Sequence, residues 1–257
     1  MTEVQATPAR RVEAGFDGNL DFPFDNPAWG KFASDTHCSV ASYTDLDLLT
    51  TALRQQLFAF SYLPSSNCFF LRDAPYRGIV SALTGLTKRS WQSSVFVVAK
   101  DNPATRWQDL RGKRLGYINT YCTTSYFSPS VLIGREGFVL KDFFDAFPVK
   151  AWQGQIDAVL AGTIDATMVY EDVWLAQPSN ARTTKVLARL DDLPTPPFIV
   201  RNDLDEAVAT DLKKMLLGLP GNEKGALYAG FTQYQDARMQ RWFADLAALP
   251  SLAHAAA

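Results

Sequence analysis

The run Cys122-Thr123-Thr124-Ser125-Tyr126 sets a thiol, three aliphatic hydroxyls and a phenol side by side, just ahead of a Ser128-Pro129 helix start. A helix N-terminus carries free N–H groups and a partial positive charge. Hydroxyl donors added there form a cradle for an oxyanion that needs no Arg or Lys. Any one of these hydroxyls is more simply an N-cap, but three in succession bring anion binding level with that reading. Cys122 could be an activated thiol at a helix start, yet it reads better as a small polar filler.

Three other positions have chemistry to offer. Ser65-Ser66 follows Pro64 at the end of an apolar run, 58–63. That is the strand-to-loop corner where open α/β sheets place ligands, although Ser also suits a plain turn. Tyr170, Glu171 and Asp172 end a second apolar run. Their carboxylates could hold a ligand ammonium or tie two lobes together, or simply favour a helix's first turn. Trp152 could stack on a ligand or a cation, or fill a core. His37-Cys38 gives no catalytic pair, because adjacent strand residues point to opposite faces. Gly85 and Gly112 belong to no phosphate-binding glycine pattern.

Composition narrows the classes further. The 257 residues hold 25 Lys+Arg against 27 Asp+Glu, a formal charge of -2 that offers no basic face for nucleic acid. Three separated cysteines (38, 68, 122) exclude a disulfide framework and allow at most one bridge. With only His37 and His254, a multi-His zinc site is not expected, and a Ser-His-Asp triad would have to use one of the two. No cofactor is expected. No apolar stretch is long enough to span a membrane, and residues 1–21 contain no apolar signal core. Two compartments stay open: periplasmic if a signal peptide was removed, otherwise cytoplasmic.

The elements that must position these residues alternate between strands and helices. Residues 1–18 read as loose, and Leu20-Asp21-Phe22 as a first strand. A strand at 38–43 leads to a Thr44–Asp47 capping box. Leu46, Leu49, Leu53 and Leu57 then form one helix face. Residues 58–63 and 93–99 read as strands, the latter apolar throughout and so buried on both faces. A short helical turn at 107–114 precedes a strand at 115–119, the hydroxyl loop and a helix from 128. Further on come a weak strand at 146–149 and a helix from Gln155 closed by Gly162 in the left-handed region. A strand follows at 165–170. Residues 191–197 read as a stiff extended link before a strand at 198–200. Helices are expected at 206–217, 225–231 and 236–249, and the tail from Ser251 reads as frayed. Strand-helix-strand succession favours parallel sheets.

The run Asp109-Leu110-Arg111-Gly112-Lys113-Arg114-Leu115-Gly116 resembles a turn-strand of type II periplasmic binding proteins. The succession after it resembles the phosphate/phosphite/phosphonate substrate-binding proteins of ABC transporters. It comprises the strand, the hydroxyl loop, the helix ending at Ala161-Gly162-Thr163-Ile164-Asp165-Ala166, then Val169-Tyr170-Glu171-Asp172-Val173 and Pro196-Pro197-Phe198-Ile199-Val200. The likeness covers about residues 93–234. It implies an α/β clamshell of two lobes joined by two crossing strands. The expected division is lobe 1 at 1–97, lobe 2 at 98–195, and a return to lobe 1 at 196–257.

The resemblance also implies a role. A small ligand of the phosphonate, phosphite or phosphate class would be closed between the lobes and handed to an ABC permease by a non-enzymatic monomer. The family's Ser-Thr-Ser-Gly phosphonate loop falls on Cys122-Thr123-Thr124-Ser125, with Cys for the first Ser and Ser for the Gly. Trp152 stands where many relatives have His. A cytosolic enzyme or a ligand-sensing domain on the same fold is the alternative.

Overall fold

The structure, a computed structural model, describes residues 12–20, 22–221 and 227–252. Short apolar strands alternate with helices, and the strands sort into two sheets. The first half of the chain supplies β1 (Glu13–Asp17), α1 (Pro27–Asp35), β2 (Ser39–Tyr43), α2 (Leu46–Arg54), β3 (Phe60–Tyr62), α3 (Ser65–Phe70) and β4 (Tyr76–Thr84). There follow β5 (Trp91–Ala99), a 3-10 turn (Trp107–Leu110), β6 (Arg114–Tyr117), a π-turn (Thr123–Phe127) running into α4 (Ser128–Gly134), α5 (Leu140–Phe143) and β7 (Asp145–Pro148). The remainder is α6 (Trp152–Leu160), β8 (Ala166–Tyr170), α7 (Glu171–Ala176), α8 (Pro178–Thr183), β9 (Thr184–Pro194), β10 (Pro197–Arg201), α9 (Glu206–Gly218), β11 (Tyr228–Gln233) and α10 (Asp236–Ala247).

The six-stranded sheet of the first lobe has the order β11-β4-β10-β3-β1-β2, and the five-stranded sheet of the second lobe has β7-β6-β8-β5-β9. In each, a parallel set is joined to antiparallel strands. β1 runs parallel to β2 and β3, and β6 runs parallel to β7 and β8. β10 is antiparallel to β3, and β5 is antiparallel to β8. The parallel strands of each sheet thus end at one edge, where ligands of open α/β sheets sit. This is the two-lobed α/β clamshell expected from the resemblance.

Several local expectations are corrected. Residues 13–17 are not loose. They form β1, which is almost wholly buried because it lies between β2 and β3. Leu20 and Phe22 are outside any strand, and Asp21 lies outside the described residues. Asp45, not Thr44, caps α2, accepting from the amides of Asp47 and Leu48, and Leu57 lies beyond the helix and is exposed. Residues 191–194 end the edge strand β9 rather than forming a link, with Asp191 and Asp192 facing out beside β5. Pro194 is tolerated because it closes that edge strand. The helix expected at 225–231 is instead β11 where it is described, from Tyr228. Gly230, at φ 82°, sits in the bulge between Tyr228 and Phe231. Residues 225–226 and the tail from 253 lie outside the described residues. All three cysteines are free.

The chain crosses between sheets at 85–90 and again at 195–196. The expected boundary at 97/98 falls inside β5, a strand of the second sheet. The C-terminal helix α10 does not simply return to the first lobe. Trp242, Leu246 and Leu249 pack in the second lobe's core with Phe96, Phe127 and Leu193, while Met239 packs with Leu49, Leu63 and Ile199 of the first.

Candidate ligand-binding site

A cavity of about 290 Å³ lies between the two lobes at the carboxyl ends of the parallel strands. The second lobe contributes Cys122, Thr123 and Thr124 from the start of the π-turn, and Ala151 and Trp152 from the start of α6. The first lobe contributes Asp17 at the end of β1 and Pro64 before α3; Gln92 of β5 and Pro196 of the second crossing border it. Two helix starts, that of the π-turn running into α4 and that of α6, therefore meet at one small space, with their partial positive charges converging. None of the lining residues is Lys, Arg or His. A larger groove of about 820 Å³ lies between α3, the start of β4 and α10. It holds none of the candidate residues and lies at the opposite strand ends, so the interlobe cavity is the better site.

The hydroxyl run is divided by geometry. Cys122 is the N-cap: its Sγ accepts from the Ser125 amide at 3.3 Å and lies 3.5 Å from Thr124 Oγ1. A weak thiol acceptor thus takes the place usually held by Ser or Thr. Thr123 reaches across the lobes, with Oγ1 2.9 Å from Ser66 Oγ and accepting from the Ser66 amide at 3.3 Å. Ser66 Oγ in turn accepts from the indole Nε1 of Trp242 at 3.3 Å. Ser125 turns the other way, its hydroxyl accepting from the Ile118 amide at 3.0 Å. Tyr126 packs edge-on against Tyr117, 5.1 Å between ring centres, and is not among the lining residues. Ser65 donates to the Pro194 carbonyl at 2.8 Å, holding α3 to the second crossing.

The acids at 171–172 do not line the cavity. Glu171 is buried and bound by the Arg189 guanidinium through both carboxylate oxygens, 2.6 Å from Nη2 to Oε2, with Arg89 at 3.8 Å. Asp172 accepts from the amides of Leu86 and Thr87 at 2.7 and 3.0 Å and from the Thr87 hydroxyl at 3.0 Å. It ties α7 to the first crossing. Tyr170 is buried and stacked on Tyr228, 5.9 Å between centres, and burial pushes its phenol pKa up. Tyr228 itself lines the cavity. Trp152 does so as well, after Ala151 at φ 68°, a strained conformation for a residue with a side chain.

Asp17 was not among the residues singled out from sequence. Its signal was present: Ala14 and Phe16 alternate into Asp17-Gly18-Asn19, a strand ending in turn residues. Asp17 is 3% exposed, and burial raises its pKa against the lowering by hydrogen bonds from the amide and side chain of Asn19. A raised carboxyl pKa favours the neutral form in the fold. Its stability contribution is present below the unfolded pKa and is lost as pH rises through the folded one. Asp17→Asn is therefore expected to raise the melting temperature of the ligand-free protein at about pH 7 by a few degrees, with the gap closing toward about pH 4. Melts at both pH values check this; a gap that does not change with pH contradicts it.

Comparison with known proteins agrees with this architecture. No curated protein matches the sequence. Among solved structures, XAC2383 from Xanthomonas citri, bound to chloride ion, superposes with a TM-score of 0.75 at 16% identity, covering 94% of this chain and 99% of that one. PhnD1 from Prochlorococcus marinus, in complex with methylphosphonate, gives 0.69 at 16% identity, covering 92% and 97%. A binding protein component of an ABC phosphonate transporter from Pseudomonas aeruginosa gives 0.66 at 14%, covering 93% and 87%. At such identities these likenesses show the fold. The family model of phosphonate ABC-transporter periplasmic substrate-binding proteins matches residues 38–242, most of the chain and both lobes. The chain belongs to that family of solute-binding proteins.

Proposed function

We propose that this protein closes its lobes on a small phosphorus oxyanion and passes it to an ABC permease, without catalysis, in the periplasm. The observation that carries the reading is the convergence of two helix starts and the Thr123 and Thr124 hydroxyls on one cavity that, among the described residues, no cation lines. Such donors bind an oxyanion by hydrogen bonds and helix dipoles. The volume is near the lower end of ordinary ligand pockets, so the ligand has few atoms. Trp152 and Tyr228 give its substituent an aromatic surface. Within this reading, Glu171, Asp172 and Ser65 hold the lobes in register, Ser66 supports Thr123, and Ser125 fixes the loop. PhnD1's methylphosphonate makes that compound the first ligand to try.

The test is a thermal-shift panel on ligand-stripped protein with phosphate, phosphite, methylphosphonate, 2-aminoethylphosphonate and sulfate. A ligand at 100 times its Kd adds about 2.7 kcal/mol, roughly 5–10 °C for a chain of this length. A shift with at least one phosphorus oxyanion is expected. A flat response to all of them, with a shift for an amine or an aromatic compound, overturns the oxyanion assignment.

A further inference from the structure

One carboxylate faces the oxyanion cradle. Asp17 lines the same small cavity as Thr123 and Thr124. Its Oδ1 accepts from the amide and side chain of its neighbour Asn19 at 2.9 and 2.8 Å, and among the described residues its Oδ2 has no hydrogen-bond partner. Among the described residues no cation is paired with it. The titratable groups around it are Tyr43, its register partner on β2, and Cys122 and Tyr228 across the cavity. None of these supplies positive charge at neutral pH. A buried carboxylate is an acceptor that repels a second full negative charge, and that repulsion is strong where water is excluded. Wherever Asp17 is ionised, an anion site that holds such a group works only if the ligand brings a hydrogen to it.

We propose that Asp17 is a specificity-determining residue that accepts a hydrogen from the bound ligand. The site then takes oxyanions that also carry a donor, either an acidic P–OH or an ammonium group, and refuses fully ionised sulfate and sulfonates. This rests on the oxyanion reading above. Asp17 sits on the lobe opposite the cradle, so the ligand is gripped as an anion from one lobe and as a donor from the other. Only a ligand with both ends satisfied draws the lobes together.

The experiment is calorimetric titration of wild type and Asp17→Asn with methylphosphonate, 2-aminoethylphosphonate, sulfate and methanesulfonate, from mildly acidic to mildly alkaline pH. Asn keeps an oxygen for the Asn19 bonds and offers N–H to the ligand. Wild type is expected to bind one of the two phosphonates at least tenfold more tightly than sulfate or methanesulfonate. If P–OH is the donor, methylphosphonate binding falls as alkaline pH removes that proton. If ammonium is the donor, 2-aminoethylphosphonate binding holds over the same range. Asp17→Asn is expected to narrow the gap to sulfate and methanesulfonate by at least about tenfold. An unchanged ratio in Asp17→Asn, or wild type binding sulfate as tightly as methylphosphonate, overturns the proposal while leaving the oxyanion site standing. Wild type binding none of the four overturns the proposal, and the phosphate and phosphite arms of the thermal-shift panel decide whether the oxyanion reading falls with it. The pH series on wild type needs no variant to fold.

Discussion

Replacing Thr123 and Thr124 together by alanine is expected to lower phosphonate affinity by roughly 10²–10⁴-fold, with the ligand-free fold kept. A hydrogen bond to a charged group contributes about 1.5–3 kcal/mol, so two of them account for that range. Thr123 carries the larger share for a reason written in its partners. The Trp242 indole can only donate, so Ser66 Oγ is an acceptor toward it. The Ser66 amide donates to Thr123 Oγ1. If Ser66 Oγ also gives its proton to Thr123, both Thr123 lone pairs are used and the Thr123 proton is free for a ligand oxygen. The chain Trp242–Ser66–Thr123 thus orients a donor toward the cavity from outside it. Single variants separate the two hydroxyls: Thr123→Ala loses both the ligand bond and the link between lobes, whereas Thr124→Ala loses only its own contact. A double variant that binds the phosphonate within threefold of wild type by calorimetry rules out the cradle.

How much of this was legible in the sequence follows from the range of each interaction. The hydroxyl loop, the Leu46–Leu53 helix face and the β5 apolar run are local patterns, and each lies where its spacing placed it. β1 and β9 were misread because their burial depends on partners distant in sequence. Asp17 and the polar residues around β1 look like a loose terminus until β2 and β3 flank it. Asp191-Asp192 look like a linker until β5 pairs beside them. The same applies to function. Three hydroxyls in a row announce a cradle, but nothing local says that the acids at 171–172 are already engaged by Arg189 and the 84–87 turn. Nor does anything local say that a carboxylate 106 positions before Thr123 shares its cavity.

The second large effect is expected at Trp242, far from the cavity lining. Its ring is 2% exposed in the second lobe's core, yet its N–H reaches Ser66 in the first. Trp242→Ala is expected to cost about 3–5 kcal/mol through the void it leaves, roughly 6–20 °C in melting temperature. That loss alone would say only that α10 is packed. Trp242→Phe separates packing from hydrogen bonding, because it keeps most of the ring and removes the donor. Its melting temperature should fall much less, while phosphonate affinity drops several-fold, since Ser66 is left without the N–H that sets its orientation. The same variant in a Ser66→Ala background should lose no further affinity, because the relay is already broken there. If Trp242→Phe binds as wild type does, the indole contributes packing only, and Thr123 needs no relay to donate. If affinity and double-variant behaviour follow the expectation, α10 is the element that couples lobe docking to the readiness of the anion cradle. That coupling explains why a helix following a first-lobe strand packs its largest side chain into the second lobe.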